Sequence, residues 1–340
     1  MLILQNQGGV DMKNLTLDEI RALPAAKIVE GLRKRDFSLL QSMGFHKLRA
    51  EMNFTGFVCR TIIGLTGLRK EVKKRTDNQP VALDSPARKR VEKLLKKAAP
   101  CMVKGYFPHP KTGLVVGFNH PSLGEILRFI YLCVTEYHER LNLFPVNLPW
   151  YEAIMPIVNE LEAIGVYVMP VITPSTRRKM AKKADSETME VIDSVSMQLN
   201  ALYLEECVSF VKRGDAIWVA PSATRQRTVF QSVGCSNGTF AISPQTMTLL
   251  VLNLKRKRVE DCKILPVGVR PPDGFGRGLN LFKKYKLCVG ELYSFATASE
   301  LARAKCTGCQ GSQFELNFLQ SVSGEVAEIG GLDLIAPDVF

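Results

Sequence analysis

From about residue 100 onward, short apolar runs alternate with longer stretches whose apolar residues recur at helical spacing. This alternation constrains the fold more than any other feature of the chain. A run such as Leu114-Val-Val-Gly-Phe118 has no polar alternation, so a strand made from it must be covered on both faces. Amphipathic helices between such runs supply the cover. The pattern predicts strands at 114–118, 143–148, 166–171, 216–220, 264–269 and 286–290. Helices are predicted at 122–140, 150–163 and 185–213, the last stopping near Gly214 where a left-handed C-cap is favoured, and a closing helix at 313–329. The fold class is therefore α/β, a mixed and mostly buried sheet flanked by helices.

The first 80 residues have a different texture and read as a small N-terminal helical domain, with 81–340 as the α/β domain. Thr16-Leu-Asp-Glu19 is a capping box, and Ile20, Leu23, Ile28 and Leu32 follow at roughly helical spacing. Further helical stretches cover 37–43 and 46–65, whereas the charged, Pro80-containing stretch 69–83 reads as a linker. Asp84-Ser85-Pro86 then opens a helix over 87–98 that carries Arg88, Lys89, Arg90, Lys93, Lys96 and Lys97. No internal repeat or long low-complexity tract interrupts the chain.

Charge narrows the partners. Lys and Arg number 45 against 33 for Asp and Glu, a net charge of +12, which favours phosphates, acidic proteins or anionic membrane surfaces. Nucleic acid is not expected, because the basic runs lack interleaved aromatics and no helix-turn-helix, zinc-finger or RNA-recognition signature is present. No window reaches the roughly 18 apolar residues of a membrane span, and the start lacks the basic and apolar regions of a signal peptide. The nine cysteines are odd in number and irregularly placed, which fits reduced thiols in a cytoplasm-like compartment. Cys306-Thr-Gly-Cys309 could be joined by Cys262 or Cys288, but no second CxxC or His pair completes a tetrahedral site, so no metal is expected.

Two segments carry candidate chemistry. Of the four histidines, His120 lies in Gly117-Phe-Asn-His-Pro-Ser-Leu-Gly-Glu125, at the end of an apolar strand and the mouth of a helix. Reactive groups in α/β proteins gather at such strand ends. Glu125, a turn further on, can reach back to the imidazole, fix its tautomer and stabilise the imidazolium formed on proton uptake. By spacing alone, a helix cap with an unrelated acid is an equal reading. In the second segment, Ala216-Ile-Trp-Val-Ala-Pro-Ser-Ala-Thr-Arg-Gln-Arg227, an apolar strand runs into a turn followed by two arginines at alternate positions. In extended chain Arg225 and Arg227 point the same way and can grip one anion with their planar forks. A solvated basic loop is the plainer alternative.

Together these segments resemble the glycerolipid acyltransferase family, most closely its soluble plastid-type glycerol-3-phosphate acyltransferases. The family's Asn-His-x4-Asp block is matched by Asn119-His120 and Glu125. Its block Ile-Trp-Ile-Ala-Pro-Ser-Gly-Gly-Arg-Asp-Arg is matched by Ile217-Trp-Val-Ala-Pro-Ser-Ala-Thr-Arg-Gln-Arg227. Ile264-Leu-Pro-Val-Gly-Val-Arg270 echoes the family's last apolar block, and the resemblance spans roughly residues 85–295. Two departures stand out: Glu125 replaces the usual Asp, and Ala223-Thr224 replaces two glycines.

The resemblance implies direct acyl transfer from a thioester of acyl carrier protein or coenzyme A to the sn-1 hydroxyl of glycerol-3-phosphate, with no further cofactor. His120 would be the base and Glu125 its orienting acid. Arg225 and Arg227 would hold the phosphate, with Arg177, Arg178 and Lys179 as further candidates, and the loop at Ser222 and Ala223 would supply oxyanion donors. The expected setting is the cytoplasm or plastid stroma, with peripheral contact to anionic membrane. A 1-acylglycerol-3-phosphate acyltransferase and a non-catalytic anionic-lipid-binding module of the same fold are the alternatives. A covalent route through Cys101, Cys133 or Cys207 is disfavoured, since none stands beside a His–acid pair in the sequence.

Overall fold

The computed structural model describes residues 15–34, 38–45, 53–73, 80–120, 124–220, 239–241, 254, 257, 259, 261–272, 281–304, 322, 324–330 and 333–335. Five short helices come first: α1 (Leu17–Ala22), α2 (Ala25–Arg33), α3 (Ser38–Ser42), α4 (Asn53–Gly64) and α5 (Leu68–Lys73). The capping box at α1 forms as predicted: Glu19 N–H donates to Thr16 Oγ1 at 3.3 Å and Thr16 N–H to the Glu19 carboxylate at 2.8 Å. Helix α5 occupies the start of the stretch expected to be a linker. Its Leu68 is fully buried, and Arg69 reaches Glu160 at 2.7 Å and the Pro156 carbonyl at 2.9 Å, so tertiary contacts order a segment that is locally polar.

Helix α6 (Pro86–Ala98) opens with Ser85 as N-cap, accepting from Arg88 N–H at 3.1 Å, and Pro86 in the first turn. Then follow β1 (Cys101–Lys104), β2 (Leu114–Phe118), α7 (Gly124–Thr135), β3 (Asn142–Asn147), α8 (Leu148–Ile154), a 3-10 turn at Met155–Ile157, α9 (Val158–Glu162) and β4 (Val166–Val171). The single helix expected over 150–163 is thus broken. Pro156 has no N–H to continue the ladder and its ring obstructs the preceding turn. Next come α10 (Pro174–Met180), α11 (Ser186–Lys212), β5 (Ala216–Val219), β6 (Thr239–Ala241), β7 (Lys263–Arg270), β8 (Tyr285–Val289), β9 (Tyr293–Ser294), α12 (Phe295–Ala304) and β10 (Asp333–Ile335). Of the closing helix expected over 313–329, residues 322 and 324–329 are described and are helical.

The central sheet is mixed but mostly parallel, in the order β1-β8-β7-β2-β5-β3-β4, with β9 on β7; β6 and β10 form a separate parallel pair. Strands β2, β3, β4, β5 and β7 run the same way, whereas β8 is antiparallel to β7, and β1 is parallel to β8. Helices cover both faces, as strands without a polar face require. On one face α11 packs on β3, β4 and β5, with α1 and α2 beyond it; α4 and α6 pack against α8 and α7 respectively. The N-terminal helices therefore share one continuous apolar core with the sheet, from Ile20 through Trp218 to Val322.

Trp218 is the largest side chain in that core. Its ring stacks on Phe144 and meets Phe129 at 5.1 Å between centroids, while Nε1–H donates to Asn142 Oδ1 at 3.0 Å. The C-terminal segment approaches the sheet closely. A Cβ on Gly268 would lie 2.4 Å from the backbone nitrogen of Gly330. Gly268→Ala must therefore push two backbones apart, and a destabilisation of about 1–3 kcal/mol is expected as a lower denaturant midpoint at unchanged m-value.

Candidate active site

Strand β2 ends at Phe118 in the middle of the sheet, with β7 on one side and β5 on the other. The next residue, Asn119, is fully buried and behaves as an extra rung of the ladder. Its Nδ2–H donates to the Val269 carbonyl at 2.8 Å, and Val269 N–H donates to Asn119 Oδ1 at 2.5 Å. A side-chain amide can do this because it offers the same donor and acceptor as a peptide group. The amide thus fixes where the chain leaves the sheet, and His120 follows directly.

His120 Nδ1 is hydrogen-bonded to Glu125 Oε1, so the structure brings the two predicted partners together. The imidazole is 21% exposed and the carboxylate is fully buried. A carboxylate oxygen facing Nδ1 favours the tautomer with the proton there, which leaves Nε2 outside that bond. Glu125 stands in the first turn of α7, where the helix dipole also favours negative charge.

A third buried polar group completes the arrangement, and the sequence reading missed it. Arg128 lies three residues beyond Glu125 on α7 and is also fully buried. Its Nη1 donates to the Gly124 carbonyl at 2.6 Å, its Nη2 to the Lys283 carbonyl at 2.8 Å, and its guanidinium sits 3.8 Å from the centre of the Tyr285 ring. Burial lowers its pKa from the ordinary arginine value, countered by the neighbouring Tyr285 and Glu125. The signal was present: Gly-Glu-Ile-Leu-Arg-Phe-Ile-Tyr-Leu-Cys-Val-Thr is otherwise apolar after Glu125, and an arginine inside such a run needs a buried partner.

The basic residues expected to hold a phosphate fare unequally. Arg177, Arg178 and Lys179 lie exposed on α10, which follows β4. Two strands, β3 and β5, separate β4 from β2, which places β4, the strand that α10 follows, about 14 Å along the sheet from the strand leading to His120. The fork of Arg177 is occupied by Asp193: Nη2 donates to Oδ2 at 2.6 Å and Nε to Oδ1. That bond holds the Asp193 carboxyl below its usual value. Strand β5, by contrast, neighbours β2 directly and ends at Val219, just before the arginine segment. Ser222, Ala223, Arg225 and Arg227 themselves lie outside the described residues.

The described thiols are placed as packing groups. Cys133 and Cys207 are fully buried; burial pushes both thiols up, Cys207 to about 12, and the half-buried Cys101 is raised by the same cause. A thiol must ionise to attack. Alkylation of the native protein at neutral pH is therefore expected to spare Cys133 and Cys207, which mass spectrometry should find modified only after denaturation. Among the described residues no cluster of His, Cys, Asp and Glu is arranged to hold a metal ion; Cys306 and Cys309 lie outside them. A cavity of about 90 Å³ between α2, α11, β3 and β4, reaching Leu141 and Arg213, lies at the opposite end of the sheet from His120.

Compared with known proteins, the chain matches no protein-family model and no curated protein.

Proposed function

We propose that this chain is an acyltransferase moving a fatty acyl group from a thioester of acyl carrier protein or coenzyme A to the sn-1 hydroxyl of glycerol-3-phosphate, giving lysophosphatidate. The observation that carries the reading is the hydrogen bond between His120 Nδ1 and the fully buried Glu125 carboxylate at the exit of β2, with the imidazole partly exposed. His120 Nε2 takes the hydroxyl proton as the oxygen attacks the thioester carbonyl. The tetrahedral intermediate then collapses, the C–S bond breaks, and the imidazolium returns the proton to the leaving thiolate. No acyl-enzyme forms and no cofactor beyond the thioester is needed.

Strand β5 runs beside β2, and Arg225 and Arg227, which we propose hold the phosphate, follow it in the sequence. Arg177 serves the surface of α11 through Asp193 and is the weaker candidate. The expected setting is a compartment that keeps thiols reduced, cytoplasm or plastid stroma.

The test is transfer of acyl groups to radiolabelled glycerol-3-phosphate, offering acyl carrier protein and coenzyme A thioesters in parallel. Label entering lysophosphatidate from either donor supports the proposal and identifies the donor. Acylation of 1-acylglycerol-3-phosphate alone would replace the acceptor. Phosphate-ligand binding without transfer would make the chain a lipid-binding module.

A further inference from the structure

We infer that the edge of the sheet formed by the end of α6, β1 and the start of β8 is a docking surface for an anionic lipid bilayer. The direction of the strands makes the case. Because β8 is antiparallel to β7 and β1 follows β8, the beginnings of β1 and β8 lie at the same end of the sheet as the end of β2, where His120 stands. The two regions are joined physically: Arg128, beside the His120–Glu125 pair, donates to the Lys283 carbonyl just ahead of β8.

Phe282 is the informative residue on this edge. It is 66% exposed, and its φ of 62° is the only positive value at a non-glycine position among the described residues. A bulky side chain rarely adopts that conformation, and here it places an aromatic ring in water. The backbone is fixed there: Phe282 N–H donates to the Ala98 carbonyl at 2.8 Å, joining the start of β8 to the end of α6. Met102, on the outermost strand and in register with Lys286, is 46% exposed. Lys96 and Lys97 in the last turn of α6, just before Ala98, and Lys284, two residues after Phe282, are exposed along the same edge.

Lysines at a helix C-terminus are favourable without any partner, so their charge alone would carry little. Exposed aromatic and thioether groups set among them are different. Apolar groups rimmed by lysine suit an interface that is negative at the headgroups and apolar beneath. Among the described residues no helix is long and apolar enough to cross a membrane, so contact through these residues would be peripheral.

Co-sedimentation with sucrose-loaded vesicles tests the inference, using phosphatidylcholine with about a quarter phosphatidylglycerol against phosphatidylcholine alone. The full chain is expected to pellet with the anionic vesicles. Phe282→Asn, which accepts a left-handed backbone and so should not lower Tm, is expected to cut partitioning about tenfold. Neutralising two charges with Lys97→Gln/Lys284→Gln should cut it about 30-fold. Equal binding to both vesicle types, no binding, or wild-type binding by Phe282→Asn overturns the inference. Sensitivity to the lysines without sensitivity to Phe282 overturns it too, because charge attraction alone would then explain the binding. Vesicle binding is read without any acyl transfer, so failure of the proposed activity would leave this result standing.

Discussion

His120→Ala is expected to slow acyl transfer by roughly a hundred- to ten-thousand-fold, the range that a positioned general base contributes. The fold should survive, because the imidazole is partly exposed and its described partner is Glu125. Glu125→Gln should fall less far: a glutamine oxygen still accepts from Nδ1–H, but the charge that stabilises the imidazolium is gone. The two residues act as a unit, so the double variant should be little slower than His120→Ala alone. Steady-state kinetics on purified variants, with circular dichroism to confirm folding, decides the matter. A His120→Ala enzyme with near-normal kcat would remove this pair from the mechanism.

The largest effect on stability is expected at Arg128. Arg128→Met fits the same space but leaves the Glu125 carboxylate buried without its neighbouring cation, and leaves the Gly124 and Lys283 carbonyls without their donor. Leaving two buried carbonyls without their charged donor, with a nearby positive charge lost as well, costs about 2–4 kcal/mol. Arg128→Lys keeps the charge but not the planar fork, so it should recover part of the loss. Urea denaturation of the three proteins gives both numbers. If Arg128→Met were as stable as wild type, the guanidinium's bonds to the Gly124 and Lys283 carbonyls would contribute nothing net to the fold.

The sequence and the structure agree where one signal dominates. Uniformly apolar runs such as Leu114–Phe118 and Val166–Val171 are strands because burial on both faces leaves little alternative. Asp185 and Gly214 bracket α11 because cap and left-handed turn are local chemistry. Strand β1 escaped notice, since Cys-Met-Val-Lys is too short and too exposed to carry a pattern; it exists because β8 pairs with it. Helix α5 escaped for the same reason. In the candidate site, His120 and Glu125 were legible from spacing and resemblance. An arginine inside an apolar run signalled that Arg128 is buried, but its partner Lys283 and the ladder-extending bond of Asn119 to Val269 were not legible, because those partners are over 100 residues away in the chain. The Arg177–Asp193 bond was hidden likewise, since it joins two different helices.

The order of strands in the sheet also sets a timetable for biosynthesis. Strand β2 pairs with β5 and β7, and β1 with β8, so neither finds its full set of neighbours until the ribosome has released most of the chain. Until then the apolar residues of β2 and the exposed edge of β1 travel uncovered, in the state in which a nascent chain is most prone to stick to others. Pairings this remote also make for slow folding once synthesis is complete. A cell producing this protein would therefore draw on its chaperones during translation, and yield on overexpression should respond more to growth temperature and chaperone supply than to the stability of the finished fold.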